Sequence, residues 1–166
     1  MMNRIAQRNT MDNVGFGVLA GLIFGAGEVI ATAWMGRPAI LPLRLFASIL
    51  LGRQALATTP AGTAVVLGIV THLILSGIFG LVYGALLGRQ PAERTTSWGN
   101  QAAYGALFGL ALWVVNFQII ARVFYPWFLN QPQFLQAVAH AAFFGLPLAL
   151  FCAASERRLR VPRPAT

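Results

Sequence analysis

The chain has 166 residues, 57% of them hydrophobic and only 10% charged, against about 25% charged in an ordinary soluble domain. So little polar surface excludes a water-soluble fold and leaves lipid as the solvent. The net charge of +8 comes from arginines alone, and these lie between and beyond the apolar runs rather than in a stripe, which excludes nucleic acid as the partner and points to topology and lipid headgroups.

Four apolar runs follow in chain order, at 14–35, 65–87, 101–122 and 134–153, each near the roughly 20 residues that cross a bilayer. In hydrocarbon, backbone polar groups must be satisfied within the segment, so the runs are read as helices. The first run follows Arg4 and Arg8 and ends in Ala31-Thr32-Ala33, the layout of a signal peptide. It is too long for a signal h-region and holds Glu28, so it is read as a retained span. It carries Gly17, Gly21 and Gly25 at four-residue steps.

Between the first two runs lies an insert, about 41–60, with the apolar stretch Leu43-Arg44-Leu45-Phe46-Ala47-Ser48-Ile49-Leu50-Leu51. It is too short to span and is expected to be an interfacial helix, or a re-entrant segment tucked over the bundle. The second run contains His72, Ser76, Gly80, Gly84 and Gly88. The third contains Gly105, Gly109, Asn116 and Gln118, and the fourth His140, Gly145 and the lone Cys152, read as a buried inert thiol.

Arg4, Arg8, Arg89, Arg94, Arg157, Arg158, Arg160 and Arg163 fall on one side of these spans, and Arg37, Arg44, Arg53 and Arg122 on the other. The bias predicts a multi-pass protein of the bacterial inner membrane with both termini cytoplasmic. Sliding the first span onto the third by 88 residues superposes Gly17 on Gly105, Gly21 on Gly109 and Glu28 on Asn116. Sliding the second onto the fourth by 68 superposes His72 on His140 and Gly77 on Gly145. The predicted fold is therefore an all-α integral membrane four-helix bundle, a single domain built from a tandem parallel repeat of one helical hairpin.

With this topology the helix-packing residues Gly17, Gly21, Gly80, Gly84, Gly105, Gly109 and Gly145 fall in the cytoplasmic half, where small residues let backbones approach. Glu28, His72, Asn116 and His140 fall about one turn to the outer side of the midplane and form a polar layer, with Thr32 and Thr71 near it. Two readings of the layer stand. Its members can pin the helices together, each interhelical bond being worth about 0.6 to 2 kcal/mol. They can also form a proton or solute path through Glu28, since a carboxylate at that depth must be protonated or paired with a protonated imidazole.

No cofactor is assigned from the residues. His72 and His140 could together ligate one haem b, whereas a Glu-His-His metal site has too few negative ligands for a hard cation and no thiolate for a soft one. There is no phosphate loop with its lysine, no CxxC, no HExxH and no Gly-x-Ser-x-Gly, so no catalytic residue is assigned and the chain is read as non-enzymatic. Ser76, one turn from His72, is expected to make a local hydrogen bond.

Pro42-Leu43-Arg44-Leu45 with Leu51-Gly52, His72 with Ser76-Gly77 and Gly80-Leu81-Val82-Tyr83-Gly84, and His140 with Phe144-Gly145 resemble small four-span bacterial inner-membrane proteins of the YagU-like and related families of unknown function. The resemblance implies the four-span layout and transfers no activity. With short loops and apolar outer faces, the chain is expected to serve as an accessory or scaffolding subunit that contacts lipids and other transmembrane subunits. An electron-transfer haem protein and a small transporter are the alternatives.

Overall fold

The computed structural model describes residues 10–160, so Arg4, Arg8 and Arg163 lie outside the described residues. In chain order the helices are α1 (Thr10–Trp34), α2 (Leu41–Leu51), α3 (Ala61–Leu87), α4 (Ala92–Thr96), α5 (Trp98–Phe124) and α6 (Gln133–Leu159). No strand occurs among the described residues. Four of the helices, α1, α3, α5 and α6, are 25 to 27 residues long and apolar enough to cross a membrane. The protein is a multi-pass, all-α membrane protein.

The helices overrun the apolar runs at their starts because of local chemistry. Pro60, Pro91 and Pro132 stand immediately before α3, α4 and α6, where the fixed φ is set for a helix start and no N–H is wanted. Before α5 the Ser97 hydroxyl oxygen accepts the Asn100 N–H at 3.4 Å, filling one of the unsatisfied donors of the first turn. Beyond α1, Gly36 turns the chain at φ +73°, a left-handed conformation that a side chain resists.

Packing follows the glycines. Lipid gives helices no hydrophobic reason to associate, so close van der Waals approach must supply it. α1 lies on α3 and α5 on α6 as two antiparallel pairs, and α1 also runs beside α6. In the first pair a Cβ on Gly17 would strike the Ser76 carbonyl oxygen and Gly80, and one on Gly84 would strike the Asn13 amide. In the second, a Cβ on Gly105 would strike Gly145 and Ala149, and one on Gly109 the His140 carbonyl. Gly88 is different: it ends α3, is exposed, and meets only its own helix. Ala20, Phe24, Tyr83, Leu112, Phe144 and Leu148 fill the core between the pairs. Ile30, Val66, Ile74, Leu107 and Phe134 point outward, as lipid-facing positions should.

The pairs differ in their backbones. α1 and α3 are α-helical throughout, whereas α5 contains a π turn at Val114–Ile120 and α6 one at His140–Gly145. The second has a visible cause. Pro147 lies two residues beyond it, and a proline inside a helix removes one backbone bond and clashes with the carbonyl four residues back, which a widened turn relieves.

Sequence left the insert either interfacial or re-entrant. α2 packs along the first turns of α3, where the Leu43 carbonyl leaves no room for a Cβ on Gly68. Leu45 joins Phe117, Ala121 and Phe128 in a second cluster, so α2 also reaches α5 and the following segment, Pro126–Asn130. Three hydrogen-bonded ties hold this end. Arg44 donates to the carbonyls of Ala55 and Thr59 at 2.7 and 3.0 Å, Arg37 to the Gln131 Oε1 at 2.9 Å, and the Trp127 indole to the buried Ser48 hydroxyl at 2.7 Å. Ser48→Ala leaves that indole without its acceptor and should destabilise the protein by about 1 to 3 kcal/mol. Melting in detergent micelles checks it through a double-mutant cycle: Ser48→Ala should cost far less in a Trp127→Phe background than in the parent, because the coupling is then already gone.

Candidate functional site

A cavity of about 360 Å³ lies inside the bundle beneath α2, within the size range of small-molecule sites. Every long helix contributes to its wall: Phe24 and Glu28 from α1; His72, Leu75, Ser76 and Phe79 from α3; Leu112, Asn116, Phe117 and Ala121 from α5; Gln136, His140 and Phe144 from α6. α2 adds Pro42, Leu45, Phe46 and Ile49, and the segment after α5 adds Tyr125, Phe128 and Gln131. The wall is largely apolar, and Glu28, His72, Asn116 and His140 all stand in it. Of the packing glycines, Gly21 and Gly25 border the His72 ring, while Gly17, Gly80, Gly84, Gly105 and Gly145 lie in the seams between helices.

The two imidazoles are held differently. His72 Nε2 donates to the Gly21 carbonyl at 2.8 Å, a bond that the bare Gly21 and Gly25 make room for. Its ring is stacked on Phe46, centroids 4.2 Å apart, and on Phe24 at 5.7 Å. His140 Nδ1 donates to the Gln136 carbonyl one turn back at 2.8 Å, and its ring meets Phe24 at 4.8 Å and Phe117 at 5.6 Å edge-on. A carbonyl can only accept, so each bond fixes a tautomer. Among the described residues His140 forms no ion pair, and in the neutral ring this tautomer leaves the lone pair on Nε2.

That Nε2 has no hydrogen-bond partner among the described residues. Trp113 Nε1 is the buried side-chain polar atom there that lacks both a partner and contact with open space, so His140 Nε2 opens onto the cavity. The Asn116 amide is likewise unpartnered among the described residues and lines the same space. Glu28 is engaged: its Oε2 accepts from Gln136 Nε2 at 2.9 Å, joining α1 to α6.

Of the other polar residues nearby, Ser76 also lines the cavity, and Thr71, Gln118 and Thr32 lie elsewhere. Ser76 donates to the His72 main-chain carbonyl at 2.7 Å, not to the ring. Thr71 bonds back to Leu67 at 2.7 Å. Gln118 is bonded to Gln133 and Arg122 at 3.3 and 2.7 Å, and neither it nor Thr32 lines the cavity. Gln136, unremarked in the sequence, bonds Glu28 and supplies the His140 carbonyl acceptor; its place one turn before His140 was the available signal.

Haem does not fit these residues. His72 would have to give up the Gly21 carbonyl and shed Phe46 from its face before Nε2 could bind iron, and both imidazoles pack on the Phe24 ring. Nor do Glu28, His72 and His140 converge on a metal: no group of three or more His, Cys, Asp or Glu side chains that could hold one occurs among the described residues. What the arrangement offers chemically is an apolar chamber with a fixed acceptor on the nine-tenths-buried His140, a free amide on Asn116, and further acceptor atoms on His72 and Glu28.

No protein-family model matches this chain, and no curated protein or solved structure is significantly similar to it.

Proposed function

We propose that this membrane protein is a non-enzymatic binding protein for a small amphipathic molecule that dissolves in the bilayer and lodges in the cavity beneath α2. One observation carries the reading: polar residues from all four long helices line one apolar chamber, and several of their atoms, the His140 Nε2 and the Asn116 amide as well as His72 Nδ1 and Glu28 Oε1, keep hydrogen-bonding capacity that no described residue uses. A pure helix pin would spend that capacity on another helix, since polar groups in hydrocarbon seek partners. The outward faces support an accessory-subunit role less well, because their Leu, Ile and Val serve lipid as readily as another helix.

The tandem hairpins belong to this reading. Gly17 meets Gly80 much as Gly105 meets Gly145, and both hairpins wall the chamber. The excess of arginines at the end where the chain enters and leaves the bundle supports cytoplasmic termini, with α2 and the cavity toward the outer side of a bacterial inner membrane.

Asn116→Phe tests the binding role. It breaks no side-chain hydrogen bond to a described residue and fills the chamber, so melting should be unchanged while binding falls at least about tenfold. The probe is N-phenyl-1-naphthylamine, a neutral membrane-soluble fluorophore, excited through the protein's tryptophans in phosphatidylcholine nanodiscs and referenced to empty discs. No tryptophan-sensitised signal from the parent protein, or an equal one from Asn116→Phe, would remove the reading.

A further inference from the structure

The cavity makes a more specific demand than apolarity. His140 is 8% exposed, its Nδ1–H is committed to the Gln136 carbonyl at 2.8 Å, and its Nε2 faces the chamber as a lone pair. A neutral imidazole so fixed can accept a hydrogen bond and cannot donate one. A ligand that reaches it must therefore bring a donor. Carbonyls, ethers and quinones bring acceptors only and would leave two lone pairs facing each other in a low-dielectric space.

The walls select the rest of the molecule. Phe24 and Phe117 meet the His140 ring edge-on at 4.8 and 5.6 Å, and Phe46, Phe79, Phe128 and Phe144 complete an aromatic lining. Such a lining offers ring edges and faces to a flat aromatic guest, with a gain beyond area that an alkyl chain does not receive. The Asn116 amide, with two donors and an acceptor, has no partner among the described residues and can serve a second polar group on the same guest.

Resting on the binding role above, we propose that the site recognises a neutral, membrane-soluble hydroxyaromatic molecule, a phenol or hydroquinone, whose hydroxyl donates to His140 Nε2. The selectivity is for the hydroxyl-bearing form over the matching ether or quinone. His140 is a binding residue here, and Gln136 a positioning residue that holds the tautomer through its main-chain carbonyl.

The test compares 4-hexylphenol with 4-hexylanisole, which differs by one methyl that removes the donor, and with 1-decanol, which keeps a hydroxyl but lacks the ring. Each is titrated against the full chain in phosphatidylcholine nanodiscs by displacement of the naphthylamine probe. The phenol should bind about tenfold more tightly than the anisole and about fivefold more tightly than the alkanol. In protein labelled with 15N-histidine, the phenol and not the anisole should shift the His140 Nε2 resonance. In His140→Phe, which keeps the edge-on ring packing, the preference for phenol over anisole should vanish.

Equal binding of phenol and anisole, with both lost in Asn116→Phe, would overturn the hydroxyl selectivity and leave the cavity's binding role standing. A phenol preference that persists in His140→Phe would overturn the assignment of His140. Decanol binding as well as the phenol would overturn the aromatic requirement. Failure of all three to displace a bound probe would overturn the proposal, whereas failure of the probe itself to bind would remove the underlying role too. The parent-protein comparison needs no variant, so a misfolded His140→Phe leaves the test intact.

Discussion

Gly145→Ala should be among the most damaging single methyl additions to this bundle, lowering stability by about 3 kcal/mol or more, at or above the top of the usual overpacking range. The added Cβ would meet the Gly105 carbonyl oxygen, with the Gly105 carbonyl carbon and Gly109 nitrogen each 2.9 Å away. All three are main-chain atoms, so no rotamer change can make room and α5 must move away from α6. Gly145 also closes the π turn that begins at His140, and the displacement would reach the cavity wall. Gly15→Ala is the control. A Cβ there meets nothing within 4 Å, and replacing an open helical glycine by alanine should stabilise by about 0.5 to 1 kcal/mol. Thermal unfolding of both variants in mild detergent decides the matter: melting points that move together would refute the seam described for α5 and α6.

Gly68→Ala should leave the bundle folded and empty the site. Its Cβ would collide with the Leu43 carbonyl, 2.8 Å from the carbonyl carbon and 3.1 Å from Cα, so α2 must lift off α3. Lifting α2 withdraws Phe46 from its stack on His72 and opens the chamber on the side that Pro42, Leu45 and Ile49 close. The glycine contacts between α1 and α3 and between α5 and α6 are untouched. Naphthylamine affinity should therefore drop at least about tenfold, with limited proteolysis cutting faster in 52–60 and the helical circular dichroism little changed. Undiminished affinity would mean that α2 is no part of the site.

The two glycines share one chemistry and differ in what they hold, and the difference shows where sequence stops being informative. Four apolar runs announce four spanning helices because lipid permits little else. Depth is also legible, since each residue advances a helix by a fixed rise, and so Glu28, His72, Asn116 and His140 could be set at one level. Direction was not legible: Gln118 and Thr71 occupy comparable stretches and turn elsewhere. The tautomers of the two imidazoles depend on carbonyls of Gly21 and Gln136, and backbone acceptors leave no trace in residue identity. The seat of α2 on Gly68 was hidden for another reason. Gly68 lies on the four-residue row of Gly80, Gly84 and Gly88 but is cut off from them by His72 and Ser76, and its partner is the Leu43 main chain rather than the α1 seam.

The π turns separate the hairpins in a further respect. A π turn holds one residue more than the α turn it replaces, so α5 and α6 each carry a dislocation of the kind that lets a crystal plane slip without tearing. Such a fault can travel along a helix one residue at a time, turning the stretch it passes by about 100° while the ends stay seated. α1 and α3 contain no such turn. Asn116 and His140 ride inside these faults together with Phe117 and Phe144 of the same wall, so the chamber is built where the two helices depart from regular winding.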